Sequence, residues 1–251
     1  MKTSLFTVLL AAVLWTGCNK YYQPSQANAE NLRVKTSATT DGSPHALEDI
    51  ISPYRATLSE RMNTVIGQAE ERLFKKKPES NLGNWVADAV HNQALQLSKS
   101  PVDLSIQNYG GIRIPEVTAG DITVGKIYEL MPFDNILVIV EMDGIMTQRF
   151  FDHMAADGGW PISKEAKYIL AEDGALNVLI NGQPIQTDQT YRISMPDYIA
   201  NGGGNCDFLE DLPRENTGRL VRDALIDEVV QRTEAGETIS AQLDGRVRWD
   251  N

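Results

Sequence analysis

A chain of 251 residues, 42% hydrophobic and 23% charged, has the composition of a soluble globular protein and the length to bury one substantial core. Its 34 acidic and 23 basic side chains give a formal net charge of −11. That balance argues against nucleic-acid backbones and anionic membrane surfaces as partners. It leaves room for a small anionic ligand only where cations gather locally.

Residues 1–18 read as an export signal: Lys2, the short apolar stretch "LFTVLLAAVL", then "WTGC" ending at Cys18. About ten apolar residues are too few to span a bilayer permanently. The pair Gly17–Cys18 resembles a bacterial lipobox, with Trp15 where an aliphatic residue is usual, so Cys18 is the expected lipidation site. The alternative is a plain secretory signal cleaved nearby. Either reading exports the protein to the cell envelope, where the lipid anchor is its only expected membrane contact. "CNKYYQ" has no acidic cluster behind the cysteine, which favours the periplasmic side over surface display. With Cys18 lipidated or removed, Cys206 has no disulfide partner within the chain and reads as a small buried residue.

Residues 19–46 are polar and aperiodic, a flexible tether to a domain over 47–251. Leu47, Ile51, Tyr54, Leu58, Met62 and Val65 recur every three or four residues, which predicts an amphipathic helix over 47–66 with Gly67 ending it and Ser52–Pro53 opening or kinking it. After the loop "KKKPESNLGN", Ser80 or Asn81 caps a helix over about 82–97, with Trp85, Val86, Ala89, Val90 and Leu97 inward. Apolar runs at 102–106, 135–142, 167–170, 175–180 and 191–195 read as strands. Asn181–Gly182 marks a hairpin, because both central residues of such a turn want positive φ. Met146, Phe150 and Met154 place a helix near 143–156, and Leu220, Val221, Ala224, Leu225 and Val229 another over about 218–234. The expected architecture is an α/β layered domain, a mixed sheet with flanking helices and no internal repeat.

His45, His91 and His153 lie far apart, none with a ligand-type neighbour at i+2 or i+4, so a dimetal phosphoesterase centre cannot be assembled from them. No G-x-S-x-G occurs either. No catalytic residue and no metal ligand is assigned to this chain. Two glycine clusters remain, "NYGGIR" at 108–113 and "ANGGGN" at 200–205, each following a strand; both read as tight turns or as close backbone approaches to a ligand. Phe133 and Tyr198 stand at strand-to-loop exits just after Pro132 and Pro196. Either could be a core aromatic; together, two such rings could sandwich a flat heterocycle.

"PESNLGNWVADAV", "NYGGIR", "AGDITVGKIYELMPFDN", "LINGQPI" and "YRISMPDYIANGGG" occur in the order and spacing of the C-terminal domain of 5′-nucleotidases. The resemblance covers about residues 79–208. It implies the substrate-recognition half of a two-domain enzyme whose other half is a dimetal phosphoesterase. Carried over residue by residue, it implies that Asn108 contacts the base, that Arg113 approaches the phosphate or ribose, and that Phe133 and Tyr198 stack on the base. Lys75, Lys76 and Lys77 stand where the family places arginines for phosphate, without the bidentate fork. Tyr109 replaces the first of three glycines and puts a bulky group beside the ligand path. Gly204 replaces a ribose-binding Asp, for which Asn205 is the nearest substitute. The helix at 47–66 takes the place of the family's interdomain connector.

The expectation is therefore a single-domain, lipid-anchored form, inactive by itself. It binds a nucleotide or nucleoside for hydrolysis with a separate metallophosphatase chain, and any divalent metals sit on that partner. The alternatives are a stand-alone nucleoside or nucleotide-binding lipoprotein, and a structural or scavenging lipoprotein whose pocket has decayed.

Overall fold

A computed structural model describes residues 44–250. The signal, Cys18 and the tether as far as residue 43 lie outside the described residues. In chain order the elements are α1 (Pro44–Met62), β1 (Val65–Ala69), β2 (Leu73–Phe74), α2 (Asn81–Leu97), β3 (Leu104–Ser105), β4 (Glu116–Val117), β5 (Gly120–Thr123), α3 (Val124–Leu130) and β6 (Ile136–Asp143). Then follow α4 (Gly144–Ala156), β7 (Ala166–Ala171), β8 (Gly174–Ile180), β9 (Gln183–Pro184), β10 (Thr190–Pro196), α5 (Asp197–Ala200), β11 (Arg214–Leu220), α6 (Val221–Glu234) and β12 (Val247–Trp249).

The central sheet has the order β11-β6-β10-β3. β6 runs antiparallel to both β10 and β11, while β3 runs parallel to β10. β6 is buried on both faces, which explains why it reads as an unbroken apolar run rather than an alternation. Its pleat sorts the residues: Val138, Val140 and Met142 join one core cluster, Leu137 and Ile139 the other. The first cluster is closed by Phe150, Phe151 and Met154 of α4 and by Tyr168 and Leu170 of a second sheet, β12-β7-β8-β9. The second is closed by Leu82, Trp85, Val86 and Val90 of α2 and by Val221, Leu225 and Val229 of α6. The result is a mixed α/β layering, as the sequence implies.

Local signals explain the boundaries. Ser80 Oγ accepts from Gly83 N at 3.1 Å and starts α2; Asp143 Oδ1 accepts from Met146 N at 2.7 Å and starts α4. Asn181 and Gly182 take φ of 52° and 77°, and the hairpin they close joins β8 to the two-residue β9. The strand at 190–196 instead belongs to the central sheet.

Several expectations are corrected. The helix stops at Met62, not at residue 66, because Val65–Ala69 pairs antiparallel with β5. Gly67 is a strand residue packed under α6: a Cβ there would lie 2.6 Å from Val229 Cγ1. Every described side chain of α1 from Glu48 to Arg61 is exposed, Tyr54 at 77% and Leu58 at 56%, so its apolar stripe covers nothing among the described residues. Leu97 is exposed at the end of α2. The last helix begins at Val221, since Arg214–Leu220 is an edge strand beside β6.

Candidate functional site

Topology brings three loops together. β3 and β10 are parallel, so both end on the same side of the sheet; β6 is antiparallel and therefore begins there, with Pro196 opposite Leu137 and Ser194 opposite Ser105. The loop after β3 carries Asn108 and Arg113, the loop before β6 carries Phe133 and Asn135, and α5, directly after β10, carries Tyr198. They line one cavity of about 270 Å³ together with Gly110 and Gly111. That is slightly below the roughly 300–1,000 Å³ of sites for drug-sized ligands, a size suited to one flat ring system.

Phe133 is 39% and Tyr198 47% exposed, so neither ring is a core aromatic. Each is braced from behind. Arg222, buried against the Tyr128 ring, donates from Nη2 to Asp134 Oδ1 at 2.7 Å and from Nη1 to Phe133 O at 3.3 Å. Asp197 Oδ1 accepts from Ile136 N at 3.0 Å and ties α5 to the start of β6. Tyr198 lies on the glycine loop that follows it. A Cβ on Gly203 would sit 2.6 Å from its ring carbons, and Gly204 N donates to its hydroxyl at 3.1 Å. His153 Nε2 lies 2.8 Å from Gly204 O; a carbonyl only accepts, so this nitrogen carries the proton. Arg113 reaches Gly110 O at 3.2 Å, and its guanidinium stands 5.5 Å from the Phe133 ring centroid.

The structure thus gathers Asn108, Arg113, Phe133 and Tyr198 around one cavity and leaves the other candidates outside it. Asn205, at φ 61°, lines a separate shallow depression with Arg149, Asp152 and His153. Lys77 Nζ is paired with Asp157 Oδ2 at 2.9 Å, and Lys75 Nζ donates to Ile112 O at 2.6 Å. Both ammonium groups cover the Tyr109 ring, at 4.9 and 3.9 Å. Lys76 points to solvent. Partial burial lowers the Lys75 pKa, helped by the neighbouring charges of Arg113 and Lys77. For Asp157, burial works upward, but the hydrogen bonds from Lys77 and Trp160 outweigh it and hold the carboxyl below its ordinary range. Tyr109 is turned away from the cavity onto these lysines and the core, so it does not crowd the ligand path.

Sequence reasoning does not single out Asn135, although it sits in the same "MPFDN" stretch as Phe133. Its backbone O accepts from Val221 N at 2.9 Å, which fixes the residue at the cavity wall. Among the described residues no three His, Cys, Asp or Glu side chains come together as a metal site. The divalent metals of a phosphoesterase centre therefore have no fitting donor set there, and no step through them is derived for these residues. Burial, with Asp207 nearby, pushes the Cys206 thiol up to about 12, which makes it inert as a nucleophile.

A mixed α/β domain with one cavity where three loops meet at the sheet's end is the class of protein this fold defines. The family described as 5′-nucleotidase, C-terminal domain, matches residues 65–211, more than half of the chain, and the chain belongs to it. It is 27% identical over 216 residues to the 5′-nucleotidase of Vibrio cholerae serotype O1, which covers 80% of this chain and 37% of that protein. It is 25% identical over 214 residues to the protein UshA of Escherichia coli K12, covering 80% and 37%. The fold matches the crystal structure of a 5′-nucleotidase precursor from Thermus thermophilus at a TM-score of 0.67 and 24% identity, over 82% of this chain and 43% of that one. The chain spans less than half the length of these relatives.

Proposed function

We propose that this chain recognises a nucleoside or nucleotide in the bacterial cell envelope. The bound ligand is presented to a separate metallophosphatase chain for phosphomonoester hydrolysis. The observation that carries this reading is that two exposed rings from separate segments, Phe133 on a loop and Tyr198 on α5, line one cavity with two carboxamides and a guanidinium. A base stacked on an aromatic ring gains about 1–3 kcal/mol. Two stacks contribute about 2–6 kcal/mol before association costs, so binding is expected to be weak, roughly sub-millimolar at best. Such binding far from the scissile phosphate can hold it against a metal centre elsewhere. Under this proposal Cys18 carries the lipid anchor, the domain faces the periplasm, and the divalent metals sit on the partner.

Calorimetric titration of the full chain with adenosine and AMP tests the reading. Weak binding is expected, abolished when Phe133→Ala and Tyr198→Ala are combined. No shift of the thermal midpoint at several millimolar of either ligand counts against it. With Mn²⁺, Zn²⁺ or Ca²⁺ and AMP the chain alone should release no phosphate, and adding an exported metallophosphatase that lacks a recognition domain should restore release. Turnover that follows the chain through repurification overturns the division of labour.

A second reading, a stand-alone nucleoside-binding lipoprotein, draws on the engagement of Lys77 by Asp157 and of Lys75 by Ile112. It predicts that AMP binds no better than adenosine.

A further inference from the structure

We infer that Gln107 is a positioning residue: it turns the Asn108 carboxamide so that its NH₂ group faces the cavity. The arrangement selects a flat heterocycle with an unprotonated ring nitrogen or a carbonyl oxygen at that edge. The inference rests on the nucleoside reading above and sharpens it.

Gln107 closes the strand end delivered by β3, and its backbone N–H donates to Pro161 O at 2.9 Å. Its side chain is fully buried. Gln107 Nε2 donates to Asn108 Oδ1 at 2.9 Å, while Gln107 Oε1 has no hydrogen-bond partner among the described residues. Leucine would fill a similar volume without an orphaned oxygen, so packing does not account for a glutamine here. The bond to Asn108 does.

The two ends of the Asn108 amide face different surroundings. A Cβ on buried Gly111 would lie 2.7 Å from Asn108 Oδ1 and 2.3 Å from Gln107 Nε2, so the inward bond exists because residue 111 has no side chain. Asn108 Nδ2 lies 3.8 Å from the corresponding point on Gly110, which is exposed and lines the cavity. A carboxamide whose oxygen is engaged inward offers only donors outward. Released from Gln107, the amide could turn over and offer either atom, and its discrimination would fall.

The probes are adenosine and its 1-deaza, 3-deaza and 7-deaza analogues, each with one ring acceptor replaced by C–H, titrated into the full chain. In the wild type, one analogue is expected to bind about tenfold more weakly than adenosine. That ratio should fall below about threefold in Gln107→Leu and vanish in Asn108→Ala. Gln107→Met serves if the leucine variant fails to fold, and the ratio, unlike the affinity itself, is insensitive to a general loosening of the loop. An unchanged ratio in Gln107→Leu or Gln107→Met overturns the inference. So does wild-type binding of adenosine with no discrimination among the analogues, an outcome that leaves the nucleoside reading standing. Absence of adenosine binding by the wild type overturns both.

Discussion

The two glycine loops, one lining the cavity and one seating the Tyr198 ring at its wall, use the missing side chain for different ends. In the loop after β3, Gly111 makes room for amides: a Cβ there would strike the buried Gln107 side chain. In the loop after α5, Gly203 makes room for a ring and for backbone, since a Cβ would lie 2.3 Å from Tyr198 O and 2.6 Å from two carbons of the Tyr198 ring. One loop shapes polarity at the cavity wall, and the other supplies the seat of an aromatic plate. A run of glycines reports that something approaches closely. Whether the neighbour is fixed backbone or a side-chain end decides how much a methyl group costs.

The largest expected effect follows from that distinction. Gly203→Ala forces a shift of backbone as well as ring, and overpacking of this kind costs about 1–3 kcal/mol. For a domain of this size that lowers the thermal midpoint by roughly 2–12 °C. Adenosine binding should be lost with it, because the Tyr198 ring is displaced from the cavity. Gly110→Ala is the contrast within the first loop, since a methyl group there meets only Asn108 Nδ2, at 3.8 Å. Its midpoint should stay within about 1 °C of the wild type. Equal losses in the two variants, read by calorimetry, would break the comparison.

Gly111→Ala comes next. Its obstacles are side-chain ends, but Gln107 is buried and has little room to yield. The expected destabilisation is about 1–2 kcal/mol. Adenosine affinity should fall while the Tyr198 seat stays intact. Wild-type affinity in this variant would show that the Asn108 amide is not held as the geometry implies.

The first loop is also rooted in a buried titratable seam. Ser105, the last residue of β3, places Oγ 3.2 Å from His91 Nδ1, and His91 Nε2 lies 3.6 Å from Glu165. Burial depresses the His91 pKa. Glu165, Asp88 and Asp103 oppose the depression and Lys164 adds to it. Above the ordinary histidine value of about 6.5 the ring is neutral folded or unfolded, so the contribution is flat. Below it the unfolded chain takes up a proton that the folded ring resists, and stability falls with pH. The midpoint should decline from about pH 6.5 downward, and His91→Gln should flatten that slope. Asp157 acts in a separate window: its depressed pKa makes its contribution complete above about 4 and lost as pH falls further.

What is legible in the sequence tracks how local the determinant is. α2 and α4 show their 3.6-residue spacing and their caps within a few positions, and β6 shows its double burial as an apolar run. Asn108, Arg113, Phe133 and Tyr198 lie within short motifs beside strands, and the sheet topology does the gathering. β11, "RENTGRL", has no alternation to find, because an edge strand with both faces half open does not need one. α1 carries an apolar stripe as α2 does, yet periodicity reveals a face and never its partner. The partners of the lysines are equally non-local: Asp157 is 80 residues from Lys77, and the Tyr109 ring that gathers both ammonium groups is distant in sequence from either. Asn205 enters the sequence reading by adjacency to Gly204, but the left-handed turn at 204–205 sends it to another face.

The smallest effect is expected at the Tyr198 hydroxyl. The hydroxyl accepts from Gly204 N at 3.1 Å, so its acceptor side is already engaged within the chain. An intramolecular hydrogen bond is worth about 0.5–1.5 kcal/mol net, and less where water can replace it, as at this exposed rim. Tyr198→Phe should therefore lower the midpoint by about 1–2 °C and change adenosine affinity less than about threefold, because the ring and its Gly203 seat remain. A loss comparable to that of Tyr198→Ala would mean that the hydroxyl, and not the ring face, makes the contact. Then the two loops would differ less than their glycines suggest, each presenting a polar group to the ligand.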